Sequence, residues 1–215
     1  MFKQNSIDEK AVAELLKILQ RGKPNHLKEL RIVDCKITQD VSRAIVEEIF
    51  NKCTIERLAL EHANLHDTAF ATMTKLVEEA CDLKLLDLAW CERNYEDFIP
   101  FYSALSGNTC LRSLNLSWNS LFDQKKGLEG DLSQDADSCL TDFCSFLTKN
   151  KELVHLDVSN SQLQTEMLKR IVQALSNSSS LMSIHLCGNP GLTPDFTSFC
   201  QAVLSCGAPS PVFQI

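Results

Sequence analysis

A pattern of apolar residues, L-x-x-L-x-L-x-x-N/C-x-L, can be placed six times along this 215-residue chain at almost constant spacing. The copies begin at Leu27, Ile55, Leu83, Leu111, Leu153 and Leu181. Four of the five steps between them are 28 residues long and one is 42. Alternating leucines predict a short strand whose side chains point to opposite faces in turn. Because so short a unit cannot bury its apolar face alone, the units are expected to stack on one another.

The stretches between these strand copies carry apolar residues at helical spacing. Val41, Ile45 and Ile49 form one such stripe, and residues 7–20 carry another ahead of the first strand copy, with no strand before it. Each unit therefore reads as strand, loop and helix. The stack predicts an α/β solenoid shaped as a horseshoe, with six parallel strands on the concave face, helices on the convex face and an N-terminal capping helix.

The chain reads as a single domain over residues 1–215. Residues 1–26 hold the capping helix and a linker, and residues 27–208 hold the six repeats. We expect residues 209–215 to be a tail, because Pro209 and Pro211 would remove ladder donors from a seventh strand. The surplus of the 42-residue step is assigned to an insertion at 124–137, "QKKGLEGDLSQDAD".

These repeats resemble the ribonuclease-inhibitor-like class of leucine-rich repeat proteins over roughly residues 7–205. That class includes ribonuclease inhibitor, the GTPase-activating protein for Ran, tropomodulin-like actin regulators and the sensor ends of NOD-like receptors. The resemblance implies a non-enzymatic scaffold that binds other proteins, usually through the concave sheet. Ribonuclease inhibitor alternates two repeat lengths, whereas this chain keeps a uniform step of 28 residues outside the insertion.

The only two tryptophans, Trp90 and Trp118, stand at equivalent positions of consecutive copies. Neighbouring strands would bring their backbones to about 5 Å from each other. Exposed tryptophans beside polar groups have the composition of an interface hot spot. We therefore expect a partner-binding surface on the concave sheet formed by Trp90, Trp118, Glu61, His62, Asp87, Asn115, Asp157 and Asn160. The alternative is that both rings fold over the strand ends and pack on loop or insertion residues.

The insertion is rich in acidic residues and would follow the strand that precedes Trp118. Its candidate rim contacts are Glu129, Asp131, Asp135 and Asp137. A loop of this length in a tight array is often functional. It would serve as a lid over the tryptophans or present carboxylates to a basic partner, and the alternative is a solvated loop without a role.

Catalytic signals are weak. His155, Asp157 and His185 would lie near one another, but three unanchored polar residues on a sheet favour a hydrogen-bonded ladder over a zinc site. The chain has no P-loop, Rossmann glycine set, HExxH or G-x-S-x-G sequence. Cys35 and Cys91 occupy the N/C slot, where the side chain satisfies loop backbone groups. We expect no enzyme activity, no cofactor, no metal and no reactive thiol.

The formal net charge of −7 argues against a nucleic-acid partner. Ten cysteines without a CxxC pair favour a reducing compartment. Short apolar runs argue against a membrane span, and acidic residues near the start argue against secretion. We expect a cytoplasmic protein, and a nuclear location is an open alternative. The sequence does not predict the oligomeric state.

The expected function is an interaction module or adaptor for a protein or peptide, with basic or aromatic-rich partners favoured. The alternative is a regulator of a partner enzyme, of inhibitor or GTPase-activating type, that acts through rim loops and the acidic insertion.

Overall fold

The structure is a computed structural model that describes residues 2–3, 9–20, 27–35, 37–52, 55–63, 65, 67–79, 82–91, 93, 95–122, 134–204 and 212–214. Its strands are β1 (Phe2–Lys3), β2 (Glu29–Val33), β3 (Arg57–Ala59), β4 (Leu85–Asp87), β5 (Ser113–Asn115), β6 (His155–Asp157), β7 (Ser183–His185) and β8 (Val212–Gln214). Its helices are α1 (Glu9–Gln20), α2 (Gln39–Lys52), α3 (Asp67–Glu79), α4 (Tyr95–Gly107), α5 (Gln134–Lys149), α6 (Thr165–Leu175) and α7 (Pro194–Leu204).

The strands form one parallel sheet in which the spatial order is the chain order, β1 to β8. Residues 28 positions apart face each other, as Leu58 faces Leu86. The step from β5 to β6 is 42 residues, and Leu114 still faces Leu156. The surplus residues therefore leave the register intact. The repeat and the α/β solenoid are confirmed, and the six predicted strands are β2 to β7.

Both ends of the sheet differ from the expectation. β1 precedes α1 and pairs with β2, so the capping helix does have a strand before it. β8 pairs with β7, and Val212 N–H donates to Met182 O at 2.7 Å. The expected tail therefore contains a strand. Pro209 and Pro211 both precede Val212, the first residue of β8, and lie outside the described residues.

The core runs the length of the stack between sheet and helices. The middle residue of each central strand is almost completely buried, as in Leu58, Leu86 and Leu114. An aromatic cluster fills the space under α3, α4 and α5 and consists of Phe70, Phe98, Phe101, Tyr102, Phe122, Phe143 and Phe146. Each buried side chain of this size contributes about 1.5–3 kcal/mol. This continuous core makes the strand ends a rigid platform.

The N/C slot ties one repeat to the next. Asn119 Nδ2 donates to Leu88 O at 2.8 Å, and Asn119 Oδ1 accepts from Cys91 N–H at 3.0 Å. The Cys91 thiol in turn lies 3.4 Å from Leu60 O. The slot side chains therefore satisfy backbone groups of the neighbouring turn, as the pattern predicts.

Arg93 stands where other copies carry the last apolar residue of the pattern. Its side chain is 9% exposed, and the guanidinium donates to Leu65 O at 2.8 Å, to Asp67 at 2.5 Å and to Asp97 at 2.6 Å. Asp67 begins α3, and Asp97 lies in the first turn of α4. The arginine thus replaces an apolar contact with a bridge between two helix N-termini.

Candidate functional site

Just beyond strands β2 to β7, each repeat has a residue with positive φ at the same position of the pattern, and the repeat of β6 has a second one at Gln162 (60°). The residues at the shared position, called the turn row below, are Asp34 (53°), His62 (52°), Trp90 (54°), Trp118 (61°), Asn160 (52°) and Gly188 (71°). Their N–H groups continue the parallel ladder past the strands. Trp90 N–H donates to Ser117 O at 3.0 Å, and Trp118 N–H donates to Ser159 O at 2.9 Å. The turn row is therefore as regular as the sheet.

The left-handed backbone of the turn row suits some of its residues and not others. Glycine, asparagine and aspartate adopt positive φ readily, which fits Asp34, Asn160 and Gly188. A bulky side chain there costs of order 1–3 kcal/mol. Trp90 and Trp118 are thus held in a backbone conformation that local stability disfavours. The sequence carried a signal for this: aspartate, asparagine and glycine recur at the equivalent positions of other copies.

Side chains at the ends of the strands hold these turns. Asp87, Asn115 and Asp157 each accept a hydrogen bond from the backbone N–H two residues later, at 3.0, 2.9 and 2.8 Å respectively. Such Asx turns fix the backbone just before the turn row. The structure therefore places these three predicted contact residues at the base of the turns that carry Trp90, Trp118 and Asn160.

The Asp87 carboxyl lies in a mostly buried environment. Burial raises its pKa above the ordinary value, and the nearby negative charge of Asp157 adds to the rise. Hydrogen bonds from Ala89 N–H and the Asn115 amide oppose it. The floor of the site is therefore acidic and poorly solvated.

Aromatic rings stack along the turn row. The Trp90 and Trp118 centroids are 5.0 Å apart with planes at 11°, and the His62 and Trp90 centroids are 5.0 Å apart with planes at 23°. His62 Nδ1 lies 2.8 Å from Asp34 Oδ1. One continuous column thus joins Asp34, His62, Trp90 and Trp118 across four repeats.

The column reaches solvent. Trp90 is 44% exposed and Trp118 is 51% exposed, which is unusual for side chains of this size. Glu61 is half-buried in the turn before His62, and Asn160 follows Trp118 in the turn row. The eight predicted contact residues thus lie in one region at the carboxyl ends of the strands.

Residues 134–137 of the predicted insertion belong to a helix rather than to a loop. Asp135 and Asp137 lie in the first turn of α5, which begins at Gln134. Acidic residues are stabilising at a helix N-terminus. Asp137 pairs with Arg170 of α6, which ties it to a neighbouring helix. Glu129 and Asp131 lie outside the described residues.

Possible metal ligands and the environments of two thiols can be described from the structure. Within the described ranges, no group of three or more His, Cys, Asp or Glu side chains is placed to hold a metal ion. Burial raises the pKa of Cys139 to about 12 and of Cys144 to about 11. These two thiols are therefore poor nucleophiles at neutral pH. None of the helices in the described part of the chain is long and apolar enough to cross a bilayer.

Comparison with known proteins gives relatives of one kind. No family model matches the chain. It is 25% identical to ribonuclease inhibitor of Mus musculus over 173 residues, which is 73% of this chain and 38% of that protein. It is 29% identical to NACHT, LRR and PYD domains-containing protein 4C of Mus musculus over 156 residues, which is 66% of this chain and 16% of that protein. The matches thus span well under half of either relative.

A solved structure with a similar fold is that of leiomodin-1 actin-binding site 2. Its TM-score is 0.58 at 16% identity, and the likeness covers 74% of this chain and 85% of that one. This likeness concerns the fold, while the sequence relatives share the repeat. With its 28-residue strand–helix unit and its single parallel sheet, the chain has the α/β leucine-rich repeat fold, and its sequence is similar to those of ribonuclease inhibitor and a NACHT, LRR and PYD domains-containing protein.

Proposed function

We propose that this chain is a non-enzymatic interaction module that binds a protein or peptide on the surface around Trp90 and Trp118. One observation carries the proposal: two tryptophans keep a strained left-handed backbone and remain about half exposed. Strain of this kind clusters at functional sites. Local folding favours asparagine or glycine at these positions, so a binding role accounts for the tryptophans better than stability does.

The stack is suited to binding with little loss of entropy. His62 and Trp118 hold Trp90 from both sides, so the rings are ordered before a partner arrives. Preorganised aromatic anchors give up few rotamers on association. Tryptophan is also among the residues most enriched in interface hot spots. The polar residues around the rings would form the hydrogen-bonding margin of such an interface.

The relatives' names favour a protein partner. One sequence relative is an inhibitor of ribonuclease, and the structure with a similar fold is an actin-binding site. We extend to this chain only the general role of recognising a protein. The alternative role through an acidic rim loop has less support, because Asp137 is tied to Arg170.

A random-peptide display library panned against the purified chain tests the proposal. The matched control is the double variant Trp90→Asn/Trp118→Asn, since Asn160 shows that asparagine is accepted in the turn row. Selected peptides should bind the double variant roughly thirtyfold more weakly, because one hot-spot side chain contributes about 2 kcal/mol. Circular dichroism and thermal unfolding establish that the variant is folded. Equal binding to both proteins would contradict the proposal.

A further inference from the structure

The two tryptophans differ in how their ring faces are covered. Trp90 has His62 against one face and Trp118 against the other. Trp118 has Trp90 against one face, and its other face is turned toward the next repeat, where Asn160 occupies the turn row. In the part of the chain that the structure describes, no aromatic ring or cation is stacked on that outer face.

Asn160 leaves this face open because its amide leans the other way. A β-carbon built on Gly188 would stand 2.1 Å from Asn160 Oδ1 and 2.8 Å from its Cγ. The amide therefore lies over Gly188, on the side away from Trp118. This position exists only because residue 188 has no side chain.

The spacing of the column defines the next stacking position. The rings already in the column repeat at 5.0 Å, close to the spacing of about 4.8 Å between neighbouring strands. The next place in the column lies beside Asn160. A planar group there would continue the stack and would meet the amide of Asn160 at its edge.

The surrounding charge favours a cation. Asp157 lies at the end of the strand below Asn160, and Asp87 lies two strands away at the same level. Neither carboxylate is in an ion pair with a described residue. A guanidinium is planar, cationic and rich in hydrogen-bond donors, whereas the ammonium of lysine has no plane to stack.

We infer that the outer face of Trp118 binds an arginine side chain of the partner, with the guanidinium stacked on the indole beside Asn160 and its donors directed to the Asp157 carboxylate. The inference rests on the proposed function and narrows it, since the partner is then an arginine-bearing protein or peptide.

Nuclear magnetic resonance can test this directly, because two tryptophans give two indole N–H signals. Trp90→Asn assigns them. N-acetyl-arginine amide should shift the Trp118 signal and bind roughly two- to fivefold more tightly than neutral N-acetyl-citrulline amide, as a cation–π contact at an exposed site predicts. Equal affinities for the two probes, or a shift confined to Trp90, would overturn the inference.

Gly188→Asn closes the site without altering either tryptophan. Asparagine tolerates positive φ, and the new β-carbon would displace the Asn160 amide toward Trp118. The arginine-dependent shift should then be lost. Gly107→Asn is the matched control, since a β-carbon there meets nothing within 4 Å. Asn160→His, which would place a ring over Trp118, should give the same loss if Gly188→Asn unfolds the chain. Undiminished binding in a folded blocking variant would refute the inference.

The two proposals fail in different ways. The library can select peptides that contain no arginine, whose binding requires the tryptophans and is unchanged by Gly188→Asn. That result would refute the arginine site and leave the proposed function standing. A Trp118 shift with arginine amide, together with no tryptophan-dependent peptide, would support the arginine site and refute peptide binding.

Discussion

The indole rings of Trp90 and Trp118 lie parallel with centroids 5.0 Å apart, and both backbones have positive φ. The ring spacing follows the strand spacing, because the two residues occupy the same position of adjacent repeats. A stacked contact between aromatic rings contributes about 0.5–1.5 kcal/mol. That gain offsets part of the backbone strain and keeps both rings in one orientation.

In the turn row, glycine should stabilise the folded protein more than alanine does, which is the reverse of their order within helices and strands. Trp118→Gly is expected to be more stable than Trp118→Ala by about 1 kcal/mol, because alanine is disfavoured at positive φ. Denaturant unfolding measures the difference. At Ser113, in the middle of the sheet, the same pair of substitutions should give the opposite order. If Trp118→Ala proved more stable than Trp118→Gly, the turn would not require the left-handed region.

Native tryptophan emission should be red-shifted and readily quenched by acrylamide. Both rings are about half exposed, so a collisional quencher can reach their edges. Emission spectra and Stern–Volmer plots of the native protein give the measurement. The urea-unfolded chain shows the quenching of fully exposed tryptophans. Blue-shifted and protected emission would mean that another part of the chain covers the rings.

Replacement of Arg93 should weaken the fold. Arg93→Ala is expected to lower the free energy of unfolding by about 3 kcal/mol, because Asp97 and Leu65 O lose a largely buried partner. Arg93→Leu should recover part of this loss by restoring the apolar pattern. Arg43→Leu is the control: its ion pairs are exposed, so a change of about 1 kcal/mol or less is expected. Equal effects at positions 93 and 43 would show that the bridge between α3 and α4 contributes nothing.

Asp87→Asn should stabilise the protein at neutral pH. The folded state raises the pKa of Asp87, so the charged form that prevails at neutral pH is disfavoured by folding. Asparagine keeps the turn, as Asn115 shows in the next repeat. The advantage should shrink as pH falls through the raised pKa of the folded state and vanish below the unfolded value, near 3.9. A gain in stability that does not depend on pH would rule out this electrostatic cause.

Tyr102→Phe should leave the fold as stable or make it more stable by about 1–2 kcal/mol. The Tyr102 hydroxyl is buried and has no hydrogen-bond partner among the described residues. Removing an unsatisfied polar group relieves its desolvation penalty. Thermal unfolding of both proteins gives the answer, with Tyr102→Leu as the control that should destabilise by opening a cavity. A clear loss of stability in Tyr102→Phe would reveal a partner for the hydroxyl.

The 28-residue period alone predicts which residues are neighbours along the stack. Leu58 and Leu86 face each other, and so do Leu114 and Leu156, because each repeat packs on the next and the period specifies the register. For the same reason Trp90 and Trp118 were predictable neighbours. The role of the asparagine slot was also readable, since its partners are backbone groups that every repeat presents.

The orientation of those neighbours depends on packing in the folded chain. The positive φ of the turn row, the stack on His62 and the lean of Asn160 over Gly188 depend on backbone and rotamer states that a leucine period does not encode. The start of α5 before Asp137 and the added strands β1 and β8 depend on contacts with repeats already formed. The repeat period determines which residues of adjacent repeats face each other. The open face of Trp118 arises instead from the packing of Asn160 on Gly188.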